Sequence, residues 1–215
     1  MTVIAIDGPG GSGKSTVARH LAERLGLEYL DTGAMYRAVA FAALRRGIDP
    51  SDAEPVGHLV DGLELEVSDA GVTVDGVDAT IEIRGPEVTR AVSLVAANPA
   101  VRTELRSRQR EWAVGRQGAV VEGRDIGTVV FPDADLKVFL TARADVRAER
   151  RSQEVSDLDY ETVAADLVRR DTLDEGREDS PTAQADDALV LDTSGMTIEE
   201  VVESLVAALA EATGG

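Results

Sequence analysis

Residues 8–15, Gly8-Pro9-Gly10-Gly11-Ser12-Gly13-Lys14-Ser15, fit the spacing G-x-x-x-x-G-K-[ST]. Such a composition suits a polyphosphate. Glycine lets backbone N–H groups wrap phosphate oxygens without a Cβ clash. The free N–H groups and positive dipole end of a following helix add attraction. In this kind of loop the lysine, Lys14, reaches the β- and γ-phosphates, and the hydroxyl of Ser15 binds magnesium. The expected ligand is a nucleoside triphosphate with Mg2+.

Three further groups could hold a second anion. In 31-DTGAMYR-37, Thr32 and Gly33 open a helix and Arg37 lies about one turn inside it. In 122-EGRDIGTVVFP-132, Arg124 and Asp125 follow an apolar run, and ligands bind beyond the carboxyl ends of strands in open parallel sheets. In 170-RDTLDEGR-177, Arg170, Asp174 and Arg177 stand at i, i+4 and i+7 and would share one helical face. Surface salt bridging also fits this last group, with Asp166 pairing Arg170. Arg143, Arg147, Arg150 and Arg151 fit either a solvated face or a phosphate-facing set.

A glycine-rich loop alone leaves kinase, GTPase, motor-type ATPase and nucleotide sensor open. The chain has neither an Asn-Lys-x-Asp tetrapeptide for base reading nor a Leu-Ser-Gly-Gly-Gln-like transporter signature. A nucleoside monophosphate kinase needs a second anion site and an arginine-bearing lid. Both have candidates here, the lid at about residues 143–177.

These residues need a scaffold. Residues 3–6 read as a buried strand running into the glycine turn, and Ser15–Leu25 follows helical spacing closed by Gly26. Leu27–Leu30 reads as a second strand and Ala34–Arg46 as a second helix. That opening predicts a parallel α/β sheet. Alternating runs at 63–67, 72–74 and 80–83, separated by Asp69-Ala70-Gly71 and Asp75-Gly76, predict a small antiparallel meander. Residues 87–112 are expected to be helical, broken where Asn98 caps and Pro99 starts anew. Strands at 119–122, 136–140 and 188–192 and helices at about 145–155 and 160–172 follow. The last helix starts at Thr197, whose spacing to Glu200 makes a capping box.

Composition narrows the function classes. The 215 residues carry 22 Lys plus Arg against 40 Asp plus Glu, a net charge of -18, with no cysteine and only two histidines. That excludes a thiolate or Cys nucleophile and disfavours a His-based zinc site. Residues 49–83 hold ten acids and residues 178–215 hold nine, with no Lys or Arg in either stretch, so an anionic ligand must bind elsewhere. Lys14 and Lys137 are the only lysines. So negative a chain is a poor partner for nucleic acid. No leader-like or membrane-spanning run is evident, and a soluble cytoplasmic monomer acting on small nucleotides is expected.

Across nearly its whole length the chain resembles the bacterial cytidylate kinase family. The resemblance runs through IDGPGGSGKST (6–16), LDTGAMYRAVA (30–40), EIRGPEVTRAVSLVAANPAVR (82–102), EGRDIGTVVFPDADLKVFLTA (122–142), RDTLDEGR (170–177) and DDALVLDTS (186–194). It implies a P-loop kinase fold, three-layer α/β/α with a five-stranded parallel sheet, a small antiparallel β insertion and a helical lid. The core would be 1–47, 113–142 and 178–215, with the CMP-binding region at 48–112. It implies transfer of the γ-phosphoryl group of ATP to CMP or dCMP, in pyrimidine nucleotide metabolism. ATP would sit on Gly8, Pro9, Gly10, Gly11, Ser12, Gly13, Lys14, Ser15 and Thr16. Arg37, Arg124 and Arg177 would hold the CMP phosphate, with Lys14, Arg124 and Arg177 catalytic. Ser93, Arg102 and Asp125 would contact cytosine, Arg170 and Asp174 the ribose, and Thr32 stands where the family often has serine. Ser180-Pro181-Thr182 departs from a common Pro-Leu pair. Rival readings are a UMP, AMP or GMP kinase, an ATP-sensing module and a simple hydrolase.

Overall fold

The computed structural model describes residues 1–68, 71–154, 159–177 and 179–214. The apolar run after Met1 forms β1 (Thr2–Asp7), and α1 (Lys14–Leu25) follows the glycine turn. Next come β2 (Glu28–Asp31), α2 (Thr32–Arg45) and α3 (Ala53–Asp61). Short strands β3 (Leu65–Ser68), β4 (Gly71–Val74) and β5 (Val77–Asp78) precede α4 (Pro86–Ala97) and α5 (Pro99–Ala113). The chain continues through β6 (Gly118–Glu122), β7 (Leu136–Thr141), α6 (Ala144–Glu154) and α7 (Tyr160–Glu175). It ends with β8 (Leu189–Asp192) and α8 (Ile198–Thr213).

Five strands make a parallel sheet in the order β2-β6-β1-β7-β8, and β3-β4-β5 make a separate antiparallel sheet. The fold class expected from the sequence is the one observed. Residues Met1–Tyr29 with Gly115–Gly215 form one compact unit, and Leu30–Val114 a second, so residues 30–47 cluster with the second unit. In the first unit, Val17, Leu21, Val201 and Leu205 pack onto Ile4, Ile6, Val120, Val138 and Leu140. Burying four or five such side chains is what holds α1 and α8 against the sheet, each contributing about 1.5–3 kcal/mol. Among the described residues no helix is long and apolar enough to cross a membrane.

In the second unit the core includes Val39, Val56, Val60, Ile83, Val92, Val95 and Leu105. Asn98 caps α5 as the sequence predicts, its side chain accepting from Ala100 N at 3.0 Å. The same side chain donates to Ala53 O at 2.8 Å, fastening the start of α3. Arg108 donates to Val60 O and Leu63 O at 2.8 and 2.7 Å, a cation on the carbonyl end of α3. Sequence reading gave no helix here. Its signal was Val56, Leu59, Val60 and Leu63 at helical spacing, hidden in an acidic stretch.

The expected third strand of the meander, Thr80–Ile83, is not a strand. β5 stops at Asp78, whose carboxylate takes both Thr80 N and Thr80 Oγ1, at 3.0 and 2.6 Å. That local turn removes Thr80 from the ladder, and Glu82–Arg84 winds into a 3-10 turn that buries Ile83 and exposes Ile81. Asp69 and Ala70 of the expected turn, and Val155 at the end of the expected helix 145–155, lie outside the described residues. So do residues 156–158 and 178 of the expected lid and core. At the carboxyl end both halves of the Thr197–Glu200 capping box are present.

Candidate active site

β1 pairs with β6 on one side and β7 on the other, so the strand order reverses beside it. A crevice forms at the carboxyl end of strands at such a switch point, and the glycine turn leaves β1 there. Gly8 has φ +144°, and an added Cβ would lie 2.0 Å from the Leu140 carbonyl oxygen, so only glycine fits. Gly13 caps α1 in the left-handed region at φ 89° and offers no side-chain acceptor. The first N–H groups of α1 thus have no side-chain cap at this end, the arrangement by which helix N-termini bind anions. Ser15 and Thr16 are exposed on that first turn.

Lys14 is buried, and its ammonium donates to Pro9 O at 2.7 Å. Burial pulls its pKa down to about 7; the charges of Arg124 and Arg170 act in the same direction, against Glu122 and Asp7. A lysine so placed holds its proton more loosely than one in water. Glu122, at the end of β6, is buried and accepts from Tyr29 Oη at 2.5 Å.

The second group of cations meets this cradle within the same unit. Arg124 donates from Nη1 to Gly8 O at 2.9 Å and from Nε to Asp174 Oδ2 at 2.8 Å. Arg177 bonds the other oxygen of Asp174, and Arg170 Nε stands 3.9 Å from Oδ2. Asp174 is 2% exposed, and a carboxylate buried that deeply needs paired charge. Burial pushes its pKa up, but Arg124, Arg177 and Arg170 outweigh that and hold it low. Burial likewise pulls Arg124 down, and Asp174, Asp171 and Glu122 raise it overall.

The structure therefore brings Lys14, Arg124, Arg170, Asp174 and Arg177 together. Two sequence expectations change in detail. α7 ends at Glu175, so Arg177 reaches Asp174 from beyond the helix, after the turn at Gly176, not from its face. Asp166 pairs with Arg169 at 3.1 Å, which leaves Arg170 to face Asp174. The arginines of residues 143–151 divide. Arg143 pairs with Asp145 in solvent, and Arg151 with Glu154. Arg147 and Arg150 turn inward, onto Gly10 O at 3.0 Å and Thr193 O at 2.8 Å.

In the second unit, Thr32 is the buried first residue of α2, behind an Asp31 cap that accepts from Ala34 N at 3.0 Å. Arg37 donates to Ile83 O at 3.2 Å and to Thr89 Oγ1 at 2.9 Å. Ser93 is buried on α4. Arg102 is fully buried on α5, donating to Ala96 O at 3.2 Å with its guanidinium 5.8 Å over the Tyr36 ring.

Sequence reasoning missed Asp7. Its two carboxylate oxygens accept from Ile126 N at 2.8 Å and Gly127 N at 2.7 Å, which pins the π-helical turn Ile126–Val130 just after Arg124 and Asp125. The available signal was an acid ending an apolar strand. Burial, partly opposed by those two N–H bonds, raises its pKa from 3.8 to about 6. The folded chain thus holds this proton more tightly than the unfolded chain. Its favourable contribution is complete below about pH 4 and is lost as pH rises through about 6. Urea unfolding of wild type and Asp7→Asn should show the difference moving against wild type across that window, by at most about 1.4 kcal/mol per pH unit. A pH-independent difference would show that Asp7 does not titrate there.

Comparison with known proteins places this geometry in a family. A profile of the family described as cytidylate kinase matches residues 4–211. The cytidylate kinase of Mycolicibacterium paratuberculosis is 52% identical over 212 residues, covering 94% of this chain and 92% of that protein. That of Corynebacterium glutamicum is 50% identical over 95% of this chain and 92% of its own length. Among solved structures, a gluconokinase from Sinorhizobium meliloti aligns with a TM-score of 0.52 at 17% identity, covering 98% of this chain and 92% of that one, a likeness of fold alone. With the matched stretch spanning the cradle, the buried arginines and nearly all the sheet, the chain belongs to the cytidylate kinase family.

Proposed function

We propose that this chain transfers the γ-phosphoryl group of ATP to CMP or dCMP, giving ADP and CDP or dCDP. The observation that carries the reading is the buried Asp174 with Arg124, Arg170 and Arg177 around it, joined to the cradle through the Arg124–Gly8 bond. A sensor or a hydrolase acting on water has no use for a second phosphate clamp.

Magnesium fits the residues present. Ser15 offers a neutral hydroxyl at the cradle, and the described residues contain no cluster of three or more His, Asp or Glu able to hold an ion alone. Such a site suits a hard cation that keeps waters and arrives with phosphate oxygens. When bound, it supplies neutralisation of charge on the transferring group. The chain's own part is positional and electrostatic. Gly8–Thr16 hold the triphosphate, with Lys14 on its terminal phosphates. Arg37, Arg124 and Arg177 hold the CMP phosphate, so that two anions can approach in line. Arginine suits this because its planar fork grips two phosphate oxygens at once. The acceptor's second pKa is about 6, so its oxygen is already anionic at neutral pH and needs no general base. His20 and His58 accordingly stand exposed on α1 and α3.

Ser93, Arg102 and Asp125 contact cytosine, Asp125 accepting from the exocyclic amine that uracil lacks. Thr32 also binds the substrate in this reading, and Arg170 with Asp174 faces the ribose. Since both oxygens of Asp174 already accept from guanidiniums, its first task is to aim them. The enzyme acts as a cytoplasmic monomer on small nucleotides, and its net charge of -18 supports that over nucleic acid. The test is steady-state ADP formation from Mg-ATP with CMP, dCMP, UMP, AMP and GMP in turn. CMP and dCMP should exceed UMP in kcat/KM by at least about 10²-fold. A preference for another monophosphate would reassign the substrate, and no transfer to any would favour the sensor.

A further inference from the structure

The spacing G-x-x-x-x-G-K leaves positions 10 and 11 open, yet both are glycine. Gly10 does not have the left-handed φ that favours glycine, whereas Gly11 does, at φ +73°. A Cβ on Gly10 would lie 3.0 Å from Leu167 Cδ2 of α7, and one on Gly11 would lie 2.7 Å from the Arg147 carbonyl oxygen of α6. Both helices therefore rest directly on the cradle's backbone. Leu167 is itself buried with Ala148 and Val163, so the α6–α7 pair has its own small apolar core and meets the cradle as a unit.

The polar contacts are equally specific. Asp171 Oδ1 accepts from Gly10 N at 3.2 Å, and Arg147 Nη1 donates to Gly10 O at 3.0 Å. Arg147 and Asp171 are ion-paired to each other, with side chains 14% and 12% exposed. One residue of the cradle is thus gripped at both its N–H and its C=O by a single shielded ion pair, one partner from each helix. Shielding from water makes such a pair stiffer than the surface pairs Arg143–Asp145 or Arg169–Asp166.

We propose that Asp171, together with Arg147, is a positioning residue that docks α6 and α7 onto Gly10 and so ties closure over the phosphates to the shape of the cradle. The inference rests on the phosphoryl-transfer reading above. Its consequence is for coupling as well as rate. With the grip intact, the transferring phosphoryl is held in line and water is kept out. With it broken, α6 and α7 seat loosely, transfer slows, and water competes as acceptor.

The experiment measures transfer to CMP and CMP-independent ATP hydrolysis side by side for wild type, Asp171→Ala, Arg147→Ala, the double variant and Gly10→Ala. Thermal melting is followed throughout. Asp171→Ala should lower kcat by about 10- to 100-fold, with KM for CMP within about twofold and a raised ratio of hydrolysis to transfer. Arg147→Ala should match it, and the double variant should lose little more than either alone. Gly10→Ala keeps both charged partners and adds a methyl against the tip of Leu167, which must give by a few tenths of an ångström, so it should raise the ratio by a smaller factor even if the ion-pair variants fold poorly. Unchanged kcat and ratio in well-folded Asp171→Ala and Gly10→Ala, with wild type active, would overturn the proposal. Inactive wild type would overturn the reading beneath it and the proposal together.

Discussion

Replacing Lys14 with alanine is expected to lower kcat/KM for ATP by about 10³-fold or more, about 4 kcal/mol of transition-state stabilisation, with no loss of melting temperature. The two halves of that expectation share one cause. Lys14 is buried among cations, which holds its pKa down at about 7, so near neutrality the folded chain bears the cost of a charge that water would solvate better. Because the unfolded chain binds this proton more tightly, the cost is greatest below about pH 7 and is relieved as pH climbs toward the ordinary value of 10.5. Alanine removes the cost along with the function. A triphosphate supplies the opposing charge and raises the pKa of Lys14 in the complex. It follows that kcat/KM for ATP should fall as pH rises above about 7, while kcat holds to higher pH. Wild-type turnover by Lys14→Ala in a coupled ADP assay, or identical profiles for the two kinetic constants, would remove Lys14 from the site.

Arg124→Ala should lower kcat by about 10³-fold, the lower end of what a transition-state arginine contributes in related phosphoryl transfer. Here the structural loss is real but smaller. Arg124 joins Gly8 O to Asp174, and without it the buried carboxylate keeps Arg177 and, more distantly, Arg170. Breaking a fully buried pair costs about 3–5 kcal/mol, and two remaining partners should limit the loss to about 2 kcal/mol. Arg124→Lys restores the charge but cannot reach Gly8 and Asp174 with separate nitrogens, so it should recover only a small part of the rate. Parallel measurement of kcat and urea midpoint separates the two effects. If Arg124→Ala loses stability but keeps its rate, the guanidinium is a strut and not part of the reaction.

The cradle is local: its glycines, Lys14 and Ser15 are consecutive, and their meaning depends only on a strand before and a helix after. Most helices and the outer strands likewise follow from short-range periodicity and caps such as Asn98 and Thr197. The periodic pattern gives way where a local polar contact overrides it. Asp78 captured Thr80 and turned an apparent strand into a 3-10 turn. The apolar spacing of α3 is masked by its acidic surroundings, and the side chains that fasten its backbone, Asn98 and Arg108, lie about 45 positions away.

The chemistry of the phosphate loop, the parallel α/β plan and the family are each written in neighbouring residues. Folding settles which arginines of residues 143–177 face inward, that Arg177 reaches Asp174 from beyond its helix, and which backbone groups Asp7, Asp171 and Arg147 hold. A buried charge takes its role from partners distant in sequence. Asp7 lies 119 positions from Ile126, and Gly10 lies 161 from Asp171, separations that no helical or strand period encodes.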